Sequence, residues 1–309
     1  DTMSEKTTSK VWFITGISQG LGLSLARRCL EMGDDVAGTT RTPDSPEIQR
    51  LCEQWPRLLV LQTDLTSEDS IKESVAHTLR IFGRLDVVVN NAGYGLLGSL
   101  EELSDAEIRT HFEVNLFAVF SVLRHTVPHL RQQRSGHIIN ISSIIGFNCA
   151  FPGNVSYAAA KYAMGGMSEA LAMELGPFGV KVTIVYPGTF RTNFFAGSYR
   201  CAINPIDEYK TKETEAICLE GQGKQKGDPN KAAEVIHSLT RNSTSSTSTS
   251  TSSNPNNNNN NTPLHLFLGP DANSMAEDKL SILHKDLDDW KSITTATNLS
   301  DEQHQHQQQ

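Results

Sequence analysis

The feature that most constrains this chain is a rhythm. Between Lys10 and about Val185, short β-branched runs alternate with longer helical stretches, and the first run ends in a glycine-rich turn. Strands separated by helix-length segments cannot pair as hairpins; each reaches its neighbour by a crossover, which makes the sheet parallel and covers both faces. The strand candidates are Val11–Thr15, Asp35–Thr40, Leu58–Gln62, Leu85–Asn90, His137–Ser142 and Lys181–Tyr186, several of them nearly continuous apolar runs, as doubly covered strands are. A seventh, Leu264–Leu268, follows a long interruption. Helices are expected near Leu21–Met32, Ser67–Phe82, Asp105–Gln132, Ser156–Leu175 and, acidic and amphipathic, Ser274–Trp290. The fold class is therefore α/β: a single doubly wound, Rossmann-type domain over residues 10–290, with a seven-stranded parallel sheet and helices on both faces.

Some stretches break the rhythm. Residues 242–261 contain only Asn, Ser and Thr apart from Pro255 and cannot bury enough apolar area to offset the entropy of ordering. They are expected to be a disordered insertion in an exposed helix-to-strand connection, tolerated because loop-closure cost grows slowly with length. Residues 1–9 and 291–309 are expected to be disordered termini; His304 and His306 belong to a frayed tail rather than a metal site. Residues 193–227, with little strand pattern and a glycine-rich end, are expected to rise above the sheet as a substrate lid.

Charge and cysteine usage narrow the function. A net charge of -8 with no long basic stripe excludes a nucleic-acid partner. No segment approaches eighteen consecutive apolar residues, so no membrane span is expected, and the polar stretch Asp1–Lys10 has no secretory core. A cytoplasmic location follows as an expectation. The 5 cysteines are odd in number, scattered and never in a CxxC pair, which fits reduced thiols and no metal.

Val11–Thr15 runs directly into Thr15-Gly16-Ile17-Ser18-Gln19-Gly20-Leu21-Gly22, and a helical pattern follows. Glycines let the backbone turn tightly against a pyrophosphate, while the helix N-terminus offers unpaired N–H groups and a positive dipole. The spacing is GxxxGxG. At the end of the second strand, where a carboxylate would bind the two ribose hydroxyls of NAD, stand Thr39, Thr40 and Arg41. With no acid to repel a 2′-phosphate and an Arg to pair with it, NADP is favoured over NAD, unless the strand runs on towards Asp44.

Tyr157 and Lys161 lie one helical turn apart, so they can touch the same ligand. A phenol near pKa 10 becomes a usable general acid/base only when neighbouring positive charge stabilises phenolate. Other polar groups gather where parallel strands should end: Asn90-Asn91-Ala92-Gly93, Ser142 and Ser143, and Tyr186-Pro187-Gly188 with Thr189 and Thr192 beyond. Each alone is turn chemistry; jointly they surround one crevice.

Together these residues resemble the classical short-chain dehydrogenases/reductases: TGxxxGxG at Thr15–Gly22, NNAG at Asn90–Gly93, Asn115, Ser143, YxxxK at Tyr157–Lys161 and PG at Pro187–Gly188. The match covers about Lys10 to Thr192 and resumes at Leu264–Ala272. The resemblance implies hydride transfer between a nicotinamide and a carbonyl or secondary alcohol. Tyr157 would be the acid/base, Lys161 would bind the nicotinamide ribose and lower the phenol's pKa, Ser143 would bind the substrate oxygen, and Asn115 would support a proton-relay water. It further implies a cofactor bed of Gly16, Ile17, Ser18, Gly20, Leu21, Gly22, Arg41, Asp64, Leu65, Asn91, Ala92, Gly93, Tyr157, Lys161, Pro187, Gly188 and Thr192. Asp64 would contact the adenine and Thr192 the carboxamide.

Two departures stand out. Ser143 to Tyr157 is fourteen positions, one longer than the commonest family spacing, which leaves Ser142 as a rival hydroxyl; Ala160 replaces a frequent serine. Phe194, Phe195, Tyr199 and Tyr209 in the lid, with Phe147 and Phe151, favour an apolar or aromatic substrate. The alternatives are a silent NADP(H)-sensing protein of the same fold, and epimerisation or dehydration on that fold. A homodimer or homotetramer is expected from the family, with Ala163, Gly165, Gly166 and Ala170 permitting close packing of the Tyr157 helix on its symmetry mate.

Overall fold

A computed structural model describes residues 9–241 and 262–297, so the disorder expected at 1–8, 242–261 and 298–309 lies outside the described residues. The chain opens with β1 (Val11–Thr15), α1 (Gly20–Glu31), β2 (Asp35–Thr40), α2 (Pro46–Gln54), β3 (Leu58–Gln62), α3 (Glu68–Phe82) and β4 (Val87–Asn90). It continues through β5 (Gly95–Leu97), α4 (Asp105–Phe112), α5 (Ala118–Gln133), β6 (Gly136–Ile141), α6 (Val155–Leu175) and β7 (Val180–Pro187). Then come α7 (Phe194–Gly197), β8 (Tyr199–Cys201), α8 (Thr211–Glu220), α9 (Pro229–Ser238), β9 (His265–Leu268) and α10 (Pro270–Thr294).

The main sheet has the expected 7 strands in the order β3-β2-β1-β4-β6-β7-β9, all parallel. The order reverses between β1 and β4, which opens a crevice at the carboxyl ends of those strands. One face is covered by α1 and α9 through Leu25, Leu30, Ala233 and Ile236; the other carries Ile71, Val75, Val122, Leu130 and Met164 from α3, α5 and α6. Local chemistry sets the helix limits. The Ser67 hydroxyl accepts from the Ser70 amide at the start of α3, and Gly83, at φ 72, ends it in the left-handed region. Ser104 and Glu107 close a capping box on α4.

Several elements depart from expectation. The helix expected over Asp105–Gln132 is two helices joined by a π-helical stretch, Glu113–Phe117. The lid region holds α7, β8 and α8, and β8 pairs in parallel with β5 as a separate two-stranded sheet. With 3 residues each, these strands are too short to show alternation. The short helices α2 and α9, each begun by a proline, had too few turns to stand out. The last helix starts earlier than expected, because Gly269 at φ 108 breaks the chain and Pro270 opens the helix. It ends later, because no glycine or proline stands near Trp290 to stop it, so residues 291–297 are helical rather than disordered. On α6, Gly165 faces inward against the Tyr186 hydroxyl, whereas Ala163, Gly166 and Ala170 are exposed. Among the described residues no helix is long and apolar enough to cross a membrane.

Candidate active site

The glycine-rich turn is held by its neighbours. Asn91 Nδ2 donates to the Thr15 and Gly16 carbonyls, both at 2.9 Å, and the Gly16 and Ile17 amides donate to the Thr39 carbonyl at 3.1 and 3.0 Å. A Cβ at Gly22 would lie 2.2 Å from the Gly16 carbonyl and 2.4 Å from Asn91 Nδ2, so only glycine lets α1 sit this close to the turn. Gly16 and Gly20 have φ of 74 and 62. The N-cap of α1, Gln19, makes no side-chain cap; its amide reaches across to the Ser198 hydroxyl at 2.8 Å. The first-turn N–H groups of a 12-residue helix are thereby left without a side-chain acceptor, beside Ser18 and facing the crevice, which suits a phosphate.

Ile17 is fully buried, its side chain filling the space over Gly38. Strand β2 ends at Thr40, which makes Arg41 the first residue beyond it and leaves Asp44 further out. Hydrogen bonds from the Thr66 hydroxyl and amide hold the Asp64 carboxyl below its ordinary value, and the charge of Arg41 adds to this. Asp64 and Arg41 thus stand near one another beyond the ends of β3 and β2, while half-buried Leu65 packs down onto the core.

At the other end of the crevice, Tyr157 and Lys161 project from α6, 8% and 4% exposed. Lys161 Nζ donates to the Ile141 carbonyl at 2.9 Å and stands 5.9 Å from the Tyr157 ring centroid. Burial pushes the phenol up to about 12, with a hydrogen bond to Ser143 working in the opposite direction. Burial also brings the Lys161 ammonium down to about 8. The lowering of the phenol expected of Lys161 is thus not achieved by the chain's own groups, because desolvation outweighs them. The two rival hydroxyls have different surroundings. Ser142 donates to the Lys161 carbonyl at 3.1 Å, tying β6 to α6, whereas Ser143 is the hydroxyl that draws the Tyr157 pKa down. The longer loop leaves that pairing intact.

Asn115 is fully buried within the π-helical stretch, where its amide donates to the His111 carbonyl at 3.0 Å and its Oδ1 accepts from the Tyr94 amide at 3.2 Å. A π-bulge re-aims one turn of a helix, and here the displaced turn abuts Gly93: a Cβ on Gly93 would meet Asn115 Oδ1 at 2.6 Å. Ala92 touches the Gly16 turn, so NNAG forms a continuous wall from the glycine-rich turn to Lys161. On the opposite rim, Gly188 leaves room for Asp271, whose carboxylate accepts from the Thr189 amide and hydroxyl, both at 2.7 Å. Thr192 lies over Gly20.

These observations decide the family. The sequence model described as short chain dehydrogenase matches residues 10–200. The chain belongs to the short-chain dehydrogenase/reductase family. As a short-chain dehydrogenase/reductase it is an oxidoreductase, similar over 94% of its length to oxidoreductase BOA17 of Botryotinia fuckeliana, at 32% identity and 99% coverage of that protein. Among solved structures, a short-chain dehydrogenase from Streptomyces avermitilis superposes with a TM-score of 0.80 at 33% identity, covering 94% of this chain and all of that one. An alcohol dehydrogenase from Thermococcus sibiricus complexed with 5-hydroxy-NADP superposes at 0.62 with 26% identity, covering 76% of this chain and 91% of the other.

Several residues around this dehydrogenase site escaped the sequence reading. His111 is wholly buried: its Nε2 lies 3.1 Å from the Tyr94 carbonyl and its Nδ1 3.0 Å from the Ser156 hydroxyl. A carbonyl can only accept, so Nε2 carries the proton and Ser156 donates to Nδ1. Burial holds His111 down to about 4, so it stays neutral at physiological pH. The signal was available, since His111 precedes Asn115 by one turn and shares its face. Of the lid aromatics, Phe194 approaches Tyr157 at 6.3 Å between centroids and packs with Phe195 and Tyr199. Tyr209 does not join them and is 41% exposed. Phe147 packs edge-on against Tyr186 and Phe267, and Phe151 is exposed.

Proposed function

We propose that this short-chain dehydrogenase/reductase transfers hydride between NADP(H) and a carbonyl or secondary-alcohol substrate, with Tyr157 as general acid/base. The observation that carries the reading is a buried phenol, one turn from Lys161 and 5.9 Å from its Nζ, at the mouth of a crevice whose far end is an uncapped helix N-terminus behind Gly16, Gly20 and Gly22. The cradle fits a dinucleotide: Gly22 admits no Cβ, Gly16 and Gly20 hold positive φ, Arg41 suits a 2′-phosphate, and Lys161 suits a ribose. The nicotinamide, when bound, supplies or accepts the hydride.

The chain's own residues do the rest. In reduction, Ser143 holds the substrate oxygen and Tyr157 gives it the phenolic proton, so the carbonyl becomes an alcohol. In oxidation the phenolate takes that proton back. Lys161, fixed by the Ile141 carbonyl, is the positive charge available to support the phenolate, and Asn115 anchors the wall through which a proton is replaced. Phe194, Phe195 and Tyr199 exclude water above Tyr157 and favour an apolar or aromatic substrate. Purified protein given NADPH and a panel of ketones, aldehydes and quinones is expected to lose the reduced-nicotinamide absorbance. Tyr157→Phe is expected to abolish this while retaining NADPH binding. Tight NADPH binding with no turnover by the unmodified protein across the panel would instead mark a sensor.

A further inference from the structure

Helix α10 begins on the body of the protein and runs off it. Ala272 and Ala276 are buried against Ile144, but from Leu280 onward every residue of the helix is exposed. The stripe that buries those two alanines does not stop where the body stops. Ala276, Leu280, Leu283, Leu287 and Trp290 follow one another at spacings of four, three, four and three, a heptad seam, with Leu287 67% and Trp290 58% exposed. The opposite face carries Asp278, Lys285, Asp288 and Asp289 around a single exposed Ile282, and Lys285 pairs with Asp289 one turn on. A helix that continues for about 27 Å at 1.5 Å per residue with an uncovered leucine seam is only marginally stable by itself in water.

We propose that this seam is covered by α10 of a second copy of this chain, the two helices running antiparallel. The undescribed segments of the chain cannot cover it: residues 1–8, 242–261 and 298–309 hold only Met3, Pro255 and Leu299 as apolar residues. An anionic lipid surface is opposed by the acidic excess of Glu277, Asp278, Asp286, Asp288 and Asp289 over Lys279, Lys285 and Lys291. A parallel pairing is blocked, because the base of the seam, at Ala272 and Ala276, already faces the chain's own body. Antiparallel pairing sets the tip of each helix beside the base of the other. It places Leu280 opposite Trp290 and Leu283 opposite Leu287, so each large seam residue meets an apolar one. Charge then agrees with shape: Glu277 and Lys291 occupy the same flanking position two heptads apart, so each Glu277 meets the other copy's Lys291. The one opposing contact is Asp286 against its own symmetry mate.

Sedimentation velocity on the full chain tests this. The double variant Leu283→Asp/Leu287→Asp is expected to halve the sedimenting mass while keeping NADPH binding, since both leucines are exposed and outside the core; Asp286→Asn is expected to strengthen association. Under mild oxidation His284→Cys, beside the two-fold axis, is expected to form a covalent dimer, and Leu287→Cys, which self-pairs only in a parallel arrangement, is expected not to. Unchanged mass in the double variant, a wild-type chain that sediments as a single copy, or cross-linking through Leu287→Cys instead of His284→Cys overturns the proposal.

Discussion

Two buried polar clusters sit at opposite ends of the same sheet, and they differ in what they leave unfinished. At the amino end, Asp34 is fully buried and every direction around its carboxylate is used. Oδ1 accepts from the Lys10 amide at 2.9 Å and from Arg241 at 2.5 Å, and Oδ2 from Trp12 Nε1 and His237 Nε2, each at 3.0 Å. Burial pushes this carboxyl up, but those hydrogen bonds and the Arg241 charge outweigh it and hold it below its ordinary value. Cys29 lies close enough to complete a three-residue metal cluster with Asp34 and His237, yet the carboxylate has no lone pair to spare. At the carboxyl end, Tyr157 and Lys161 are equally buried, but desolvation dominates both, driving the phenol to about 12 and the ammonium to about 8. The lesson is that saturation separates the clusters: a satisfied buried charge stabilises the fold, and a buried pair whose pKa values are set by desolvation rather than by partners, facing a crevice, is open to a ligand.

The sharpest way to break this comparison is to remove one group from each end. Tyr157→Phe is expected to lower kcat by about 10²–10⁴-fold, leaving the melting temperature nearly unchanged. Asp34→Ala is expected to do the reverse, costing about 3–5 kcal/mol by stranding Arg241 and His237, with the kinetics of the folded fraction preserved. Because the folded pKa of Asp34 is depressed, its contribution is present above the unfolded value of about 3.9 and lost as pH falls through the folded value. Chemical denaturation should therefore show the deficit of Asp34→Ala at neutral pH shrinking in acid. Activity lost together with stability in both variants would dissolve the distinction.

A smaller effect concerns His111. Held at about 4 against an unfolded value near 6.5, it is neutral when folded, so the unfolded chain takes up the proton first and stability falls as pH drops through that window. The loss is about 3 kcal/mol at most, and His111→Gln should flatten the slope of unfolding free energy between pH 6.5 and 4. His137, brought down to about 3 by burial, leaves a residual slope in that variant. The smallest effect is expected from Arg41→Ala, about tenfold in KM for NADPH with little change for NADH, since the side chain is exposed and screened. Equal changes for the two cofactors would remove Arg41 from the 2′-phosphate.

Much of the fold was legible because parallel strands buried on both faces write themselves as apolar runs; β1 and β2 have the same limits in sequence and structure. The site was legible where function demands a residue type at a fixed spacing, as in Thr15–Gly22 and Tyr157–Lys161. What escaped was set by long-range contacts. β5 and β8 pair across a hundred residues, and nothing local in Gly95–Leu97 announces a strand. Phe147 belongs to the Tyr186–Phe267 stack only because β9 returns beside β7. The direction of the phenol's pKa could not be read from its distance to Lys161 along the helix, because burial is a property of everything packed around it.

By itself, then, the order of residues determined the crossover topology, the glycine turn and the one-turn spacing of phenol and amine, since each follows from backbone geometry within a single element or its immediate junction. Tertiary structure alone decided which serine bears on Tyr157, that Ile17 is core, that His111 and Asp271 buttress the crevice, and that the seam of α10 outruns the body. Those outcomes depend on which surfaces meet and how much water they exclude, and neither quantity exists until the chain is folded.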